Sequence, residues 1–505
     1  MELKSNDRPR TPCLAVFGTG SDVGKSVVAT ALCRVFREDG FKVAPYKAQN
    51  MSNNSGVTPE GLEMGRAQIV QAEASGIPPA VDMNPILLKP TSDIGAQVVL
   101  LGKVYKNSTA SEYHLNKEKL FSAACQSLDR LRAEHDLVVL EGAGSCAEVN
   151  LMEHDIVNMR MAQYADAPVI LVADIHKGGV FAQIVGTLAC LPDHLKKYIA
   201  GFVINRFRGD IALFKDGVDW IEQKTGKPVF GVLPWYNHIH IEAEDSVVIE
   251  KPAIAAGESF KVPAIAVVRL PHISNFTDFA ALGAISGLSL HFIENPHSLD
   301  RFAAVILPGS KNTRFDLGWL HDTGWARQLT DYGRQGGHIL GVCGGYQMMG
   351  RTVKDPGGLE GKPGQTPGLN LLPVETELKA PKTTTLTGFV WDGEVGSGYE
   401  IHMGTTLRLG GRALFDITTK NGAPSTDQDG CAADHNRYLG TYIHGLFDTA
   451  GITRRWLETI GLGSLAVDKD CGLPARQREY AKLAQHFRKH VDMGKIRDIA
   501  GGRGA

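Results

Sequence analysis

The sequence predicts an α/β protein of two doubly wound domains, each a mostly parallel sheet with helices on both faces. Three observations lead there. Short apolar runs alternate with helical patterns along the chain. The alternation lapses once, near residues 249–262, and then resumes. Each half also has a glycine-rich segment where an apolar run passes into a helical pattern. These are Gly18-Thr19-Gly20-Ser21-Asp22-Val23-Gly24-Lys25-Ser26 and Gly341-Val342-Cys343-Gly344-Gly345.

In the first half, residues 13–17 read as a buried strand, 27–38 as a helix stopped by Asp39-Gly40, and 41–46 as the next strand. Further strands are expected at 137–140, 169–173, 201–204 and 229–233, with a helix at 180–191. Residues 251–262 are small, polar and proline-marked, and read as a linker. The second alternation has strands at 264–270, 288–293, 303–307 and 338–342, then one around 437–443 that precedes His444. The Gly- and Pro-rich tract 354–373 reads as a surface excursion, and 474–491 as a charged helix with a frayed end at 501–505. The expected division is therefore a first domain at 1–250, a linker at 251–262, a second domain at 263–460, and a C-terminal helical extension and tail at 461–505.

Composition excludes several classes. Hydrophobic residues make up 43% and charged residues 21%, as in ordinary globular chains. A net charge of −2 gives no general attraction to nucleic acid or membrane. No apolar stretch approaches the ~20 residues of a membrane span, and residues 1–12 lack the apolar core of a signal peptide. The eight cysteines are scattered, with no C-x-x-C pair, so reduced cytoplasmic thiols are expected rather than a zinc ribbon.

The first glycine-rich segment has the chemistry of a phosphate loop. Gly20, Val23 and Gly24 let the backbone approach phosphate, Lys25 neutralises its charge, and the Ser26 hydroxyl reaches Mg²⁺. The strict pattern has glycine where this chain has Thr19. Asp22 is a candidate to bind Mg²⁺ or to orient Lys25. Glu141, closing the apolar run 137–140, is placed to help hold Mg²⁺. Lys47, after the second strand, can neutralise a transferring phosphoryl group. Asn205, at a strand end, is placed to read a base with its amide. Asp155, after the glycine-rich turn at 142–144, is a candidate to orient an acceptor, or equally an acid at a helix N-terminus.

The second segment has the form of a nucleophile elbow. Small neighbours allow the sharp turn that presents Cys343, and a helix N-terminus favours its thiolate. One histidine among 17 means little alone, but His444 follows a strand in the same domain and is the leading base. The turn at Pro308-Gly309-Ser310 offers backbone amides which, with that of Gly344, can form an oxyanion hole.

Together these residues resemble the cobyric acid synthases, the glutamine-dependent amidotransferases of corrin biosynthesis, nearly to residue 460. The most specific stretch is Tyr46-Lys47-Ala48-Gln49-Asn50-Met51-Ser52-Asn53-Asn54. Support comes from Asn84-Pro85-Ile86-Leu87-Leu88-Lys89-Pro90, Glu141-Gly142-Ala143-Gly144 and Asn205-Arg206-Phe207-Arg208-Gly209-Asp210. The second half adds Leu307-Pro308-Gly309-Ser310-Lys311-Asn312-Thr313 and Tyr399-Glu400-Ile401-His402-Met403-Gly404. The first half is also similar to dethiobiotin synthetase, a P-loop NTPase-like domain in which threonine at the Thr19 position is usual. The second is similar to class I glutamine amidotransferases. Those mostly carry a glutamate two residues after the histidine; this chain has Leu446 there. A Cys343–His444 dyad is therefore the expectation, with Glu400 as the candidate to replace the missing acid.

The resemblance implies a reaction. ATP, glutamine and adenosylcobyrinic acid a,c-diamide give adenosylcobyric acid, by amidation of the b, d, e and g carboxylates. ATP and Mg²⁺ enter with the substrates, and no permanently bound cofactor, nucleic-acid partner or membrane is expected. Oligomeric state stays open. A near rival is the a,c-diamide synthase of the same pathway, against which the 47–54 tract speaks. A rival of another class is a partitioning ATPase. Such proteins carry a second lysine early in the phosphate loop, where this chain has Thr19 and Ser21, and they would leave the thiol half unexplained.

Overall fold

A computed structural model of the chain describes residues 11–92, 95–109, 113, 116–242 and 260–501. Most of the expected linker, the first ten residues and most of the frayed end lie outside the described residues.

Six parallel strands make the first sheet, in the order Val229–Pro234, Ile199–Phe207, Val169–Asp174, Cys13–Gly18, Leu137–Glu141, Val43–Tyr46. All six residues of Cys13–Gly18 are buried, as the continuous apolar run of a strand covered on both faces requires. This strand lies between two that the chain reaches later, so connections diverge from its carboxyl end and open a crevice there. Helix Lys25–Glu38 leaves that end. Val28, Leu32, Val35 and Phe36 bury its inner face, and the Gly40 amide closes it on the Arg37 carbonyl at 3.0 Å.

The second sheet runs Ser289–Ile293, Ala264–Val268, Ala304–Leu307, His338–Val342, Tyr438–Thr441, all parallel, with Cys431–Ala433 antiparallel at the edge. The alternation read from sequence thus appears as two parallel sheets. What the alternation does not show is the antiparallel structure added to each. In the first half, Ile86–Ser92, Gly95–Leu100 and Lys103–Thr109 form a meander that pairs with Gln49–Met51. In the second, Phe415–Lys420, Thr383–Trp391 and Glu394–His402 form a sheet that ends on Ile443–His444.

The tract 354–373 lies at the surface over 356–368, where no residue is buried, but it carries a strand and its ends enter the core. Strands Thr352–Asp355, Gly364–Pro367, Val374–Glu377 and Thr405–Arg408 form a small sheet. Leu369, Leu371 and Leu372 are buried in one core with Tyr346 and Met348. The glycines turn the chain at the tips, while apolar residues between them bury against the elbow helix.

The two halves are bonded together. Glu63 of the first half accepts from Lys89 at 2.7 Å and from Lys382 of the second half at 2.6 Å. Burial would raise the Glu63 carboxyl, but the two ammonium groups outweigh it and hold it below the usual carboxylate range. The Thr384 hydroxyl donates to the Gly61 carbonyl at 2.7 Å, and the Ser55 amide donates to the Asn275 side chain at 3.0 Å. After the second domain the chain returns. Helix Leu473–His490 packs on helix Lys25–Glu38, burying Leu483 and Phe487 beside Leu14 and Leu32. Arg476 joins Glu73 and Asp448, one from each half, at 2.9 Å each. No described helix is long and apolar enough to cross a membrane.

Candidate active sites

The phosphate loop is built on Gly24. Its φ of 99° is left-handed, and a Cβ there would lie 2.0 Å from the Asn205 amide nitrogen. That same amide donates to the Val23 carbonyl at 2.9 Å. Asn205, the residue expected to read a base, thus supports the loop through its amide nitrogen. Asp22, the candidate to bind Mg²⁺ or to orient Lys25, pairs its carboxylate with Arg206 at 2.9 Å, and Arg206 continues to Asp174 at 3.0 Å. Burial would raise Asp22; Arg206 and then Lys177 lower it below its ordinary value.

Lys25 donates to the Gly20 and Gly144 carbonyls at 2.9 and 3.0 Å, so its ammonium lies across the mouth of the loop. Glu141, at 1% exposure, is where three elements meet. One of its oxygens accepts from Ser26 at 2.8 Å and from Lys47 at 3.0 Å, and the other accepts from Gln71. Ser26, Lys47 and Glu141 are far apart in sequence and converge because their strands are neighbours in one parallel sheet. Gln71 carries no sequence mark; it faces Glu141 from helix Arg66–Ser75.

A cavity of about 900 Å³ opens from this point. Lys25, Ser26 and Lys47 line one side, and Lys117 and Asp155 another. Ile273 and Phe276 of the second half line it as well. The Asp155 carboxylate accepts from the amides of Val157 and Asn158 at 2.8 and 3.0 Å, just before helix Met159–Ala165. It therefore organises a turn and faces the cavity at once. Burial raises its pKa above the ordinary carboxylate value.

The thiol site stands at the carboxyl end of strand His338–Val342. Cys343 has φ 52°, the strained turn of an elbow, and opens helix Gly344–Met349. Two glycines crowd the thiol site, one after the cysteine and one from the turn at 308–310. A Cβ on Gly344 would lie 2.8 Å from the Ser310 amide nitrogen, and one on Gly309 would lie 3.2 Å from the His444 ring. Gly309 and Gly344 therefore border the thiol from two loops. His444, 1% exposed, stands beside the Cys343 side chain, whose thiol donates to the Ile401 carbonyl at 3.4 Å.

The acid that sequence could not find is Asp278. Its Oδ2 lies 2.6 Å from His444 Nδ1, and its Oδ1 accepts the Gly445 amide at 3.1 Å. A third group therefore extends the expected dyad, and Glu400 is not that group. Adjacent strand residues point to opposite faces. Tyr399 stacks on His444 with ring centroids 5.3 Å apart, while Glu400 turns away to Thr387 at 2.9 Å. Asp278 lies on the short helix Phe276–Phe279, 166 residues before His444, in a segment without a motif. Nothing in the sequence marks it. Burial would lower the His444 imidazolium, but Asp278 and then Cys343 outweigh it and push its pKa up to about 10.

Fold and site together define a two-domain α/β enzyme that joins a P-loop nucleotide-binding domain to a glutamine amidotransferase domain. Residues 14–247 match the CobQ/CobB/MinD/ParA nucleotide binding domain, and residues 264–451 match the CobB/CobQ-like glutamine amidotransferase domain. The cobyric acid synthase of Chlorobium phaeobacteroides (strain BS1) is 53% identical, covering 97% of this chain and 99% of that one. That of Chlorobaculum tepidum is 48% identical over 97% and 98%, and that of Syntrophobacter fumaroxidans 46% over 97% and 98%. The chain belongs to the cobyric acid synthase family.

Proposed function

We propose that the chain amidates the b, d, e and g carboxylates of adenosylcobyrinic acid a,c-diamide, with ATP as activator and glutamine as the source of ammonia. The observation that carries this reading is the shared wall. The cavity over the phosphate loop is lined by Ile273 and Phe276, and two residues further along the same segment stands Asp278, bonded to His444. A site for phosphoryl transfer and a thiol site are back to back.

A carboxylate resists attack by ammonia because its charge repels nucleophiles and oxide is a poor leaving group. Transfer of the ATP γ-phosphoryl to a carboxylate oxygen gives an acyl phosphate and ADP. Ammonia then attacks the carbonyl carbon and phosphate leaves. Lys25 and Lys47 neutralise charge on the moving phosphoryl group. Asp155, facing the same cavity, orients the acceptor or takes a proton from the attacking ammonia. The oxygen donors at Ser26 and Glu141 suit Mg²⁺, which needs few protein ligands when phosphates and water complete its octahedron. When bound there, the ion would offset phosphate charge.

Free ammonia is mostly protonated at neutral pH, so it is made where it is used. The Cys343 thiolate attacks the glutamine amide carbon, and amides at Gly309 and Gly344 receive the oxyanion. His444 gives its proton to the departing ammonia, and water then releases glutamate from the thioester. Asp278 holds the ring in the tautomer this requires and stabilises its charged form.

Separate loss of the two half-reactions tests the reading. Cys343→Ala should abolish amidation with glutamine and retain it with added ammonium salts. Lys25→Ala and Glu141→Ala should abolish both. Mass analysis should count up to four added amides. A Cys343→Ala protein inactive with ammonia, or no amide added to the a,c-diamide, would overturn it.

A further inference from the structure

The motif at 399–404 is specific in sequence, yet the mechanism above uses none of its side chains. We infer, on the reading of Cys343 as the glutaminase nucleophile, that Tyr399 and Asn275 are positioning residues of that site. They hold Asp278, and through it His444, against a backbone amide of the first half.

The direction of each hydrogen bond follows from one end. The Ser55 amide, in the first half, can only donate, and it meets Asn275 Oδ1 at 3.0 Å. That bond fixes which end of the Asn275 side chain is oxygen. Its Nδ2 is therefore the atom 3.3 Å from the Tyr399 hydroxyl. The amide donates there, and the phenol oxygen accepts. The one proton of the phenol is then directed to its other neighbour, Asp278 Oδ1, at 3.5 Å. The Gly445 amide donates to that same oxygen at 3.1 Å, while Asp278 Oδ2 faces His444 at 2.6 Å. A line of donors thus runs from one half of the molecule into the other and ends on the carboxylate that orients the base.

The groups in this line are themselves fixed. Asn275 is 3% exposed and has φ 50°, a left-handed conformation that asparagine tolerates better than most side chains. Its carbonyl accepts the Asp278 amide at 3.0 Å, so it grips the short helix Phe276–Phe279 by backbone as well as by side chain. Tyr399 and His444 are direct partners on paired strands, and their rings lie 19° from parallel. The tyrosine therefore bounds the imidazole with its face and the carboxylate with its hydroxyl. Ser55 is a firm anchor: its hydroxyl donates to Glu63 at 2.8 Å and accepts from Lys89 at 2.7 Å. Lys382 of the second half closes on the same Glu63. Held by Tyr399, Gly445 and His444 together, the Asp278 carboxylate has little freedom to rotate away from the imidazole. Proton transfer by His444 needs that constancy, because the ring must present one nitrogen to the thiol throughout.

Orientation is separated from folding by measuring ammonia release from glutamine, amidation with added ammonium salts and the urea midpoint on the same proteins. Tyr399→Phe keeps the ring on His444 and deletes the donor. It should lower kcat for glutamine by about tenfold, with KM changed by less than about threefold. Asn275→Gly keeps the left-handed backbone and deletes the side chain, and should give a loss of similar size. The double variant should lose little more than either single one, since both break the same line of donors. Amidation with ammonium salts should be unchanged in all of them, because none touches the phosphate loop. Where Asn275→Gly does not fold, Asn275→Asp takes its place. It keeps the acceptor for Ser55 and draws the phenol's proton away from Asp278, with the same expected loss. An unchanged kcat in Tyr399→Phe, a change confined to KM, losses that multiply in the double variant, or an equal loss with ammonium salts would overturn the inference. A parent protein that releases no ammonia from glutamine would instead overturn the glutaminase reading beneath it.

Discussion

At the scale of the residue, the thiol site turns on one carboxylate. Asp278 at 2.6 Å fixes which His444 nitrogen faces the thiol. Replacing it with asparagine keeps the shape and loses the charge that stabilises the imidazolium. Asp278→Asn should therefore lower glutamine-dependent turnover by roughly 10²- to 10⁴-fold, with ammonia-dependent amidation retained. Glu400→Gln, on the other face of its strand, should stay within about threefold of the parent, since it does not touch the histidine. A comparable loss in both variants would mean that Asp278 is not the orienting acid. Cys343 and His444 were legible because each sits in a local pattern, a strand that ends in glycine or a strand that ends in histidine. Asp278 was not, because its partner is 166 residues away and no local rule links them.

At the scale of the element, sequence reads continuous apolar runs well and short antiparallel strands poorly. Strand His338–Val342 announces itself by its run; Glu394–His402, half exposed and glycine-broken, does not. Yet the latter places His444 by pairing with Ile443–His444. Next to it Asp429 anchors the approach to the histidine, accepting from the Thr441 hydroxyl and from the Tyr442 amide at 3.2 Å. Burial, helped by the charge of Glu400, pushes the Asp429 carboxyl up to about 7. A carboxyl whose pKa is raised on folding contributes its stability fully below about pH 4 and loses it as pH rises through about 7. Asp429→Asn should remove that slope. The variant should gain on the parent between pH 4 and 7, by on the order of a few kcal/mol, in the midpoint of urea unfolding. Parallel curves would show that Asp429 does not titrate in that window.

At the scale of the whole molecule, the chain's end belongs to its beginning. Helix Leu473–His490 reads from sequence as a charged tail helix, but its apolar face completes the core around helix Lys25–Glu38. Phe487 is 1% exposed there, and Phe487→Ala should cost about 3–5 kcal/mol in unfolding free energy. Loss of stability well under 1 kcal/mol by chemical denaturation would show that the helix is only laid on the surface. The same helix places Arg476 between Glu73 and Asp448, so it also ties the halves.

What the sequence alone determined is everything set by local chemistry. The phosphate loop, the elbow and the alternation of apolar runs each depend on residues within a turn or a strand of one another. The tertiary structure decided what depends on long-range approach. It put Asn205 under the loop and Asp22 onto Arg206, brought Asp278 to His444 and left Glu400 outside. It also set the two sites against one wall. The physical reason is that a hydrogen bond of 2.6 Å needs two side chains on facing surfaces. Which surfaces face each other follows from sheet order and domain packing, and no short stretch of sequence contains either.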